Sequence, residues 1–224
     1  MGRGGLTATE PLYFDNHLLV LDKPWGLLTQ PSGSGGDSLE AQGKAFLKAR
    51  FAKPGAVFLE AVHRIDRVVG GAVLFARTSK ALARLNAAQR EGAIAKTYRA
   101  LVGAVPPAPE GVLEDWLVHD EEGHCAHVAR PGTVGARACR LHWRIIETRP
   151  DGRALLEIGL DTGRYHQIRA QLAHAGWPIV GDRKYGARDD AGAPNGGIAL
   201  VSWSIAFPHP VTHERLAATT RLTL

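Results

Sequence analysis

The chain has 224 residues, of which 45% are hydrophobic and 22% charged. These values are ordinary for a globular protein that can build a hydrophobic core without disulfide bonds or structural metals. No apolar run approaches the roughly 20 residues of a membrane span, and the opening MGRGGLTATEPLYFD lacks the apolar core of an export signal. Cys125 and Cys139 are too few for a disulfide framework. We therefore expect a reduced, cytoplasmic protein.

The balance of charge is basic. Lys and Arg number 27 against 22 acidic residues, a net charge of +5, and 20 of the 27 are arginines. A guanidinium group binds phosphate through two parallel hydrogen bonds, which an ammonium group cannot do. Composition alone leaves two explanations open, an ordinary solvated surface and a polyanionic partner such as nucleic acid.

Two local motifs suggest ligands but fit no known pattern. The segment HCAH places His124, Cys125 and His127 together, but this spacing matches no zinc motif. The glycine-rich segment 33–44 lacks the spacing of a phosphate-binding loop, because Lys44 is followed by Ala45. We therefore expect neither a metal nor a nucleotide cofactor.

In the first half, apolar runs predict strands at 17–24, 57–62 and 70–77. Asp37 and Glu40 resemble a capping arrangement that opens a helix over 38–50. The segment 78–92 predicts a second helix, with Ala81, Leu82, Leu85 and Ala88 on one face and Gly92 as its end.

In the second half, a strand is predicted at 96–105 and a hairpin from 138–147 and 154–160, joined by a turn at 150–153. Helical spacing follows within 162–176, with Gly176 at its end, and a last strand covers 197–207. Several strands are hairpin neighbours. The pattern favours an α+β fold around a mixed, mostly antiparallel sheet flanked by helices.

Asp66 is the one carboxylate in the segment VHRIDRVVGG, between Arg64 and Arg67 and close to His63. It lies in a short connection between two predicted strands, where functional groups are often positioned. The neighbouring guanidiniums favour its charged form, which argues against a general acid and for a nucleophile or electrostatic stabiliser. On these residues alone, a structural ion pair that ties the loop is at least as good an explanation.

The chain from about residue 12 to 222 resembles the RluA-type pseudouridine synthases, which isomerise uridine in ribosomal or transfer RNA. Five blocks occur in that family's order: HLLVLDKPWGLLTQPSG, HRIDRVVGGAVLFARTSKA, AKTYRALVGAVP, LDTGRYHQIRAQLAHAGWPIVGDRKYG and WSIAFPHPVTHERL. The resemblance implies the pseudouridine-synthase catalytic fold, with an active-site cleft across the sheet, and an RNA substrate. It implies no metal and no cofactor.

The resemblance also implies roles for individual residues. Asp66 corresponds to the catalytic aspartate that engages the target nucleoside, and Tyr98 to the tyrosine that stacks on the base and helps in the final deprotonation. Arg169 corresponds to the basic residue that pairs with the aspartate. Arg64 corresponds to the arginine that fills the space left by the flipped nucleotide.

Further residues are candidates for binding the substrate: His63, Arg67, Lys96, Arg164, His166 and Lys23. Each has an ordinary structural explanation as well, such as a solvated lysine or a satisfied core histidine. Without the family context Tyr98 reads as a half-buried strand aromatic and Arg169 as a surface charge beside its helix.

The chain departs from the family pattern at two places. Val68, Val69 and Gly70 stand where the family usually carries an acidic residue, Thr and Ser, and Tyr165 replaces a customary Thr. These departures spare the three catalytic candidates, so we expect activity to survive. They bear on the shape of the pocket and the choice of RNA.

We expect a flexible tail over 1–11 and a single catalytic domain over 12–224, without a separate N-terminal RNA-binding domain, acting as a monomer. The rival interpretation is a non-catalytic RNA-binding or RNA-chaperone protein on a synthase scaffold, which the altered VVGG stretch alone supports. A carboxylate-dependent hydrolase is a third, but it would need a second acid near Asp66. Asp161 and Asp182 are the possible partners, although nothing in the sequence pairs them with it.

Overall fold

The structure is a computed structural model that describes residues 10–32, 37–188 and 190–224. The chain divides into two compact units. The first runs through Ile94 and is completed by Ser202–Leu222, and the second comprises Ala95–Val201 with Thr223–Leu224. Most of the expected tail lies outside the described residues, but the carbonyls of Glu10 and Pro11 accept hydrogen bonds from the Arg221 guanidinium.

The first unit contains a sheet with the strand order β1-β2-β4-β10, in which β3 also pairs with β4 and β11 with β10. Numbered in chain order, these strands are β1 Tyr13–Phe14, β2 Leu18–Lys23, β3 Glu60–Ala61, β4 Gly70–Ala76, β10 Leu200–Pro208 and β11 Arg215–Thr219. Every residue of β2 and β4 is buried. These two strands therefore form the rigid centre of the unit.

Two helices complete the first unit. The helix α1, Leu39–Arg50, is confirmed, but Ser38 rather than Asp37 is its N-cap: the Ser38 hydroxyl accepts a hydrogen bond from the Ala41 N–H at 3.2 Å. The helix α2, Ser79–Arg90, contacts β4. Three of its four predicted apolar positions are buried, and Leu82 is partly buried.

The prediction of a strand over 57–62 is wrong in its length, because only Glu60–Ala61 pairs with a neighbouring strand. This strand, β3, pairs with Phe75 and Ala76 at the end of β4. In the strand order β2 and β10 are the neighbours of β4, so little of that strand is left for β3. Burial is still strong in this segment, since Leu59 is fully buried, and the apolar run therefore looked like a full strand.

The second unit is an antiparallel sheet with the order β5-β9-β8-β6-β7. Its strands are β5 Ala95–Val102, β6 Glu110–Asp120, β7 Cys125–Ala129, β8 Arg137–Thr148 and β9 Ala154–Leu160. The helix α3, Gln167–His174, contacts β6 and β7, and a short 3-10 turn covers Arg183–Tyr185. The predicted β8–β9 hairpin is confirmed.

Sequence reasoning missed β6 and β7. In β6 the solvent-facing residues include the apolar Val112 and Trp116, which are 46% and 37% exposed, whereas Asp115 lies among the less exposed positions. This arrangement hides the usual alternation of apolar and polar residues. The strand β7 has only five residues, too few for a clear periodic signal.

The predicted fold class, α+β around a mostly antiparallel sheet, is confirmed. Among the described residues, no helix combines the length and apolar character that a membrane crossing requires.

Candidate active site

Asp66 lies in the connection between β3 and β4, half-buried, with exposed Arg64 and Arg67 on either side. The buried Thr29 hydroxyl holds the preceding residue by both of its backbone groups. It donates to the Ile65 carbonyl at 2.9 Å and accepts from the Ile65 N–H at 3.3 Å. Beyond the aspartate, the Val69 N–H donates to the Asp66 carbonyl at 3.0 Å, which closes a tight turn. The backbone that carries the carboxylate is therefore fixed on both sides.

A second set of hydrogen bonds ties this turn to the segment after β2. The Gly26 N–H donates to the Arg67 carbonyl at 2.9 Å, and Arg67 Nε donates to the Gly26 carbonyl at 2.8 Å. The sequence predicts that Arg67 binds the substrate. In the structure its guanidinium also holds the backbone of Gly26.

The Lys23 side chain is fully buried. Its ammonium group donates to the carbonyls of Pro24, Leu27 and Arg67 at 3.0, 2.7 and 3.1 Å. Burial lowers the pKa of Lys23 to about 7, and the Asp66 carboxylate opposes this shift. Lys23 therefore holds the loops on both sides of the turn, and its protonated form attracts the Asp66 carboxylate. A direct phosphate contact by this ammonium group is not compatible with its burial.

His63 is also a buried anchor, with 6% of its surface exposed. Its Nε2 accepts a hydrogen bond from the Leu74 N–H at 3.2 Å, and the adjacent Val62 N–H donates to the Leu74 carbonyl at 2.9 Å. Because Nε2 accepts, the proton of the neutral ring lies on Nδ1. His63 joins the start of the loop to the middle of β4.

The departures from the family pattern follow this turn. Val69 is buried at 3% exposure. Gly70 lies against the Trp25 indole, and a Cβ there would overlap the ring. Gly71 has φ +115°, and a Cβ would overlap the backbone of Ser202, so only glycine fits at this position. The small residue at 70 makes room for Trp25, which therefore packs against β4.

In the second unit, Lys96 and Tyr98 lie on the same face of β5, since they are two residues apart in a strand. Tyr98 is 7% exposed and is paired in register with Ile158 of β9. Burial lowers the pKa of Lys96. A half-buried cation next to a nearly buried aromatic ring is a suitable environment for a base and its phosphate.

Arg169 is buried in α3 and forms a two-pronged ion pair with Asp182. Its Nε and Nη2 atoms donate to the two carboxylate oxygens at 2.7 and 2.9 Å. The guanidinium also lies 4.9 Å from the centre of the Tyr185 ring, within the range of a cation–π contact. Its orientation is therefore fixed from two directions. No sequence pattern indicates that Asp182 pairs with Arg169.

His166 connects Arg169 to Tyr185. Arg169 Nη1 lies 2.9 Å from His166 Nε2, and His166 Nδ1 lies 2.9 Å from the Tyr185 hydroxyl. Arginine can only donate, so Nε2 is the acceptor and Nδ1 carries the proton. The Tyr185 oxygen then accepts from His166 and from the Ala126 N–H at 2.7 Å. Burial raises the pKa of Tyr185 to about 12, which keeps the hydroxyl neutral.

The loop before α3 presents the remaining candidates. Gln167 Oε1 accepts from the Arg164 N–H at 3.0 Å and from the Thr162 hydroxyl at 2.9 Å. Arg164 itself is exposed, and its Nε donates to the Ala138 carbonyl at 3.2 Å. Tyr165 is 41% exposed, with its ring 3.9 Å from that of His166 and 4.2 Å from that of His119.

The structure thus brings the predicted residues together in three groups. Lys23, His63, Arg64, Asp66 and Arg67 lie on or next to the Asp66 turn in the first unit, Lys96 and Tyr98 share a strand face, and Arg164, His166 and Arg169 lie at or near the start of α3. Sequence reasoning missed Thr29, Asp182 and Tyr185, which hold these groups in place. Of these three, only Asp182 is named from the sequence, as a possible second acid near Asp66. The joint action of Asp66, Tyr98 and Arg169 stays a prediction.

Comparison with known sequences gives a consistent result. Residues 17–174 match the family model described as RNA pseudouridylate synthase. Ribosomal large subunit pseudouridine synthase C of Vibrio vulnificus is 35% identical over 91% of this chain and 62% of its own length. An uncharacterized RNA pseudouridine synthase of Zymomonas mobilis is 33% identical over 83% of this chain and 82% of its own. The chain spans less than two thirds of the length of the ribosomal relatives.

Solved structures agree on the fold. Human RNA pseudouridylate synthase domain containing 4 superimposes with a TM-score of 0.77, covering 95% of this chain and 88% of its own, at 20% identity. Human RNA pseudouridylate synthase domain containing 1 gives a TM-score of 0.76, covering 99% and 86%, at 19% identity. At these identities the likeness concerns the fold, and it confirms the pseudouridine-synthase fold that the sequence predicted.

Proposed function

Because this chain belongs to the RNA pseudouridylate synthase family, we propose that it is an enzyme that isomerises uridine to pseudouridine in RNA, with Asp66 as the essential residue. The observation that carries the proposal is the half-buried Asp66 carboxylate on a turn that Thr29 and Lys23 hold rigid. A carboxylate between the Arg64 and Arg67 guanidiniums is suited to act on a sugar carbon as a nucleophile.

The chemistry needs no other reactant. The bond from the ribose carbon to N1 of uracil breaks, and a bond from the same carbon to C5 forms. C5 then loses its proton, and N1 gains one. The reaction is internal, so electrons and atoms balance without an oxidant, a reductant or a nucleotide. This balance supports our expectation that no cofactor takes part.

Access to the bond requires that the uridine leaves its stack, at a cost of a few kcal/mol. We assign Tyr98 to the platform for the flipped base, since stacking on an aromatic ring contributes roughly 1–3 kcal/mol. Arg64, which is exposed next to Asp66, is assigned to the space that the base vacates. Lys96, Arg164 and His166 are assigned to the neighbouring backbone, and Arg67 contributes charge beside Asp66.

Arg169 is assigned to orient Asp66 during the reaction. Asp182 and Tyr185 support this assignment, because they fix the guanidinium within its own unit. Lys23 and His63 serve as supports of the catalytic turn in this proposal. This supporting role differs from the substrate contacts that the sequence predicted for Lys23 and His63.

We propose ribosomal RNA of the large subunit as the substrate. The support is that the relatives from Vibrio and Haemophilus ducreyi are ribosomal large subunit pseudouridine synthases. Such a substrate is a cytoplasmic one in bacteria, which agrees with the predicted location. A net charge of +5 suits a polyanionic partner.

The test compares pseudouridine in total RNA from cells with and without this protein. Pseudouridine has the mass of uridine, so positions are mapped by carbodiimide labelling and primer extension. We expect one or a few large-subunit positions to lose their label. Wild-type protein should restore them, and Asp66→Asn should leave them at background.

The matched control is Asp151→Asn, which removes an exposed carboxylate from the β8–β9 turn and should restore the label fully. Asp66→Asn should still bind RNA with an affinity close to wild type. An unchanged map, together with retained RNA binding, would favour the rival interpretation of a non-catalytic RNA-binding protein. Label restored by Asp66→Asn would refute the role of this carboxylate.

A further inference from the structure

The β6–β7 hairpin gathers three side chains that the proposed reaction does not use. Asp120 and Cys125 are cross-strand partners at the end of the ladder. His127 lies two residues beyond Cys125, on the same face of β7. Cys125 Sγ lies 3.1 Å from His127 Nε2 and 3.6 Å from Asp120 Oδ2. His127 Nε2 and Asp120 Oδ2 are 3.6 Å apart.

These distances are close to those of a tetrahedral zinc site. Bonds of about 2.3 Å to sulfur and about 2.0–2.1 Å to nitrogen and oxygen place tetrahedral ligand atoms roughly 3.3–3.6 Å apart. Two of the three separations already lie at the upper end of this range. The third needs to lengthen by less than half an ångström, which a rotation of the exposed His127 ring provides.

The turn between the strands prepares this arrangement. The Gly123 N–H donates to Asp120 Oδ1 at 2.9 Å, which directs Oδ2 toward the cysteine and histidine. A Cβ on Gly123 would overlap Asp120 Oδ2 and come within 3.1 Å of Cys125 Sγ. A glycine therefore keeps open the space next to the two ligand atoms.

Contacts outside the hairpin fix the turn further. Lys184 Nζ donates to the carbonyls of Gly123 and His124 at 3.1 and 3.2 Å. On the other side of Cys125, the Ala126 N–H donates to the Tyr185 hydroxyl. The Lys184 ammonium is a like charge near any bound cation, so the site is expected to bind less tightly than a site with only anionic neighbours.

The same three residues do not form a catalytic triad. In a triad the carboxylate and the nucleophile bind opposite nitrogens of the histidine ring. Here both the Cys125 sulfur and the Asp120 carboxylate approach Nε2. Desolvation and the Asp120 carboxylate also raise the pKa of the Cys125 thiol, the opposite of an activated nucleophile.

We propose that Asp120, Cys125 and His127 form a zinc site, with water as the fourth ligand. A thiolate with an imidazole selects zinc over magnesium or calcium, which prefer oxygen ligands. Asp120 and His127 are 39% and 63% exposed, so the fourth position faces solvent.

The site has a structural role in this proposal. Tyr165 donates to the His124 carbonyl at 3.4 Å, and its ring lies at a tilt 4.2 Å from that of His119 in β6. An ion that closes the hairpin thus stiffens the turn against the loop that precedes α3. The HCAH segment supplies only two of the three ligands, Cys125 and His127, and its spacing alone matches no zinc motif, because the third ligand, Asp120, comes from the opposite strand.

The test uses the full-length protein after removal of metal with a chelator. Zinc is titrated in competition with a chromophoric chelator, and cobalt is added separately to look for a thiolate-to-cobalt charge-transfer band. We expect one zinc per chain and a cobalt band. Cys125→Ser should abolish the band and weaken zinc binding by at least the roughly 10–100-fold that loss of an outer ligand partner costs.

Two controls and one steric variant sharpen the result. Cys139→Ser removes the other thiol, and His174→Gln removes an exposed histidine; both should bind zinc as wild type does. Gly123→Ala keeps all three ligands, and its backbone angle is an ordinary one, but the added methyl group should weaken binding at least tenfold. Since this variant loses no ligand, it tests the site even if Cys125→Ser folds poorly.

A wild-type protein without a cobalt band, or zinc affinities that are equal in wild type, Cys125→Ser and Gly123→Ala, would overturn the proposal. The cluster would then be a hydrogen-bonded turn. None of these measurements involves pseudouridine, so the zinc site and the proposed enzymatic function stand or fall separately.

Discussion

Arg169 and Asp182 form an ion pair whose side chains are only 6% and 2% exposed. Removing two charges from water costs several kcal/mol per ion, and only close geometry with further hydrogen bonds offsets this cost. Both conditions hold here, since the pair is two-pronged and His166 contacts the remaining side of the guanidinium. The pair therefore fixes the orientation of the arginine more than it adds net stability.

Asp182→Asn should lower the free energy of unfolding by about 3–5 kcal/mol, because it leaves a buried guanidinium without its counter-charge. The matched control is Asp190→Asn, which breaks the exposed Arg183–Asp190 pair, 79% and 58% exposed. That change should cost no more than about 1 kcal/mol. Urea unfolding of both variants measures the difference, and equal losses would show that the Arg169 site is not desolvated in solution.

Lys23, which holds the loops around Asp66, makes the stability of the folded protein depend on pH. Burial lowers its pKa from an ordinary 10.5 to about 7, so between these values the unfolded chain binds a proton that the folded chain has lost. The free energy of unfolding should therefore rise with pH from about 7 to 10, by at most about 1.4 kcal/mol per pH unit. Below pH 7 both states are protonated and this contribution is constant.

Lys23→Met should lose this rise while lowering stability at every pH, because three carbonyls lose their donor. Lys48→Met, at an exposed position of α1, should keep the wild-type slope. Urea unfolding at a series of pH values gives the slopes. A Lys23→Met slope equal to wild type would assign the pH dependence to other groups.

At the scale of the element, β4 is the centre of the first unit and its first residues are glycines. Gly71 has φ +115°, and any side chain would meet the backbone of Ser202 in β10. Such close contact between two backbones brings β10 directly against β4, the strand that follows the Asp66 turn. The position of Asp66 thus depends on a residue without a side chain.

Gly71→Ala should lower the free energy of unfolding by more than about 3 kcal/mol, since steric overlap adds to an unfavourable backbone angle. Gly92→Ala is the matched control. It also has a positive φ, +72°, but no atom lies within 4 Å of the added methyl group, and roughly 1–2 kcal/mol is expected. Thermal or urea unfolding separates the two, and similar losses would mean that β10 can move away from Gly71.

The sequence predicted elements whose burial follows a regular period, such as α2 and the β8–β9 hairpin. It failed where tertiary structure sets the limits: β3 is short because little of β4 is left for it to pair with, and β6 carries apolar residues on its exposed side. Asp66 could be singled out because it is a lone acid among arginines. Thr29 and Asp182 could not, since their importance lies in contacts over 36 and 13 residues.

At the scale of the whole molecule, basic residues serve two purposes that composition does not separate. Lys23 and Arg169 are buried and hold backbone carbonyls or a carboxylate, whereas Arg64 and Arg164 are exposed. The net charge of +5 therefore includes buried cations that a polyanion cannot contact directly. The structure distinguishes buried cations from exposed ones, which the composition cannot do.

The order in which the two units are encoded has a consequence for synthesis on the ribosome. The first unit includes Ser202–Leu222, which carries most of β10. The strand β4 therefore gains this neighbour only after these residues have been translated. At about 5–20 residues per second, the nascent N-terminal part waits roughly 5–25 s for that strand. Nearly all of the second unit, Ala95–Val201, is already available by then. The contacts that hold the Asp66 turn are thus encoded early, whereas β4 gains β10 late, and a nascent chain that stalls before residue 202 leaves an edge of β4 without this neighbour.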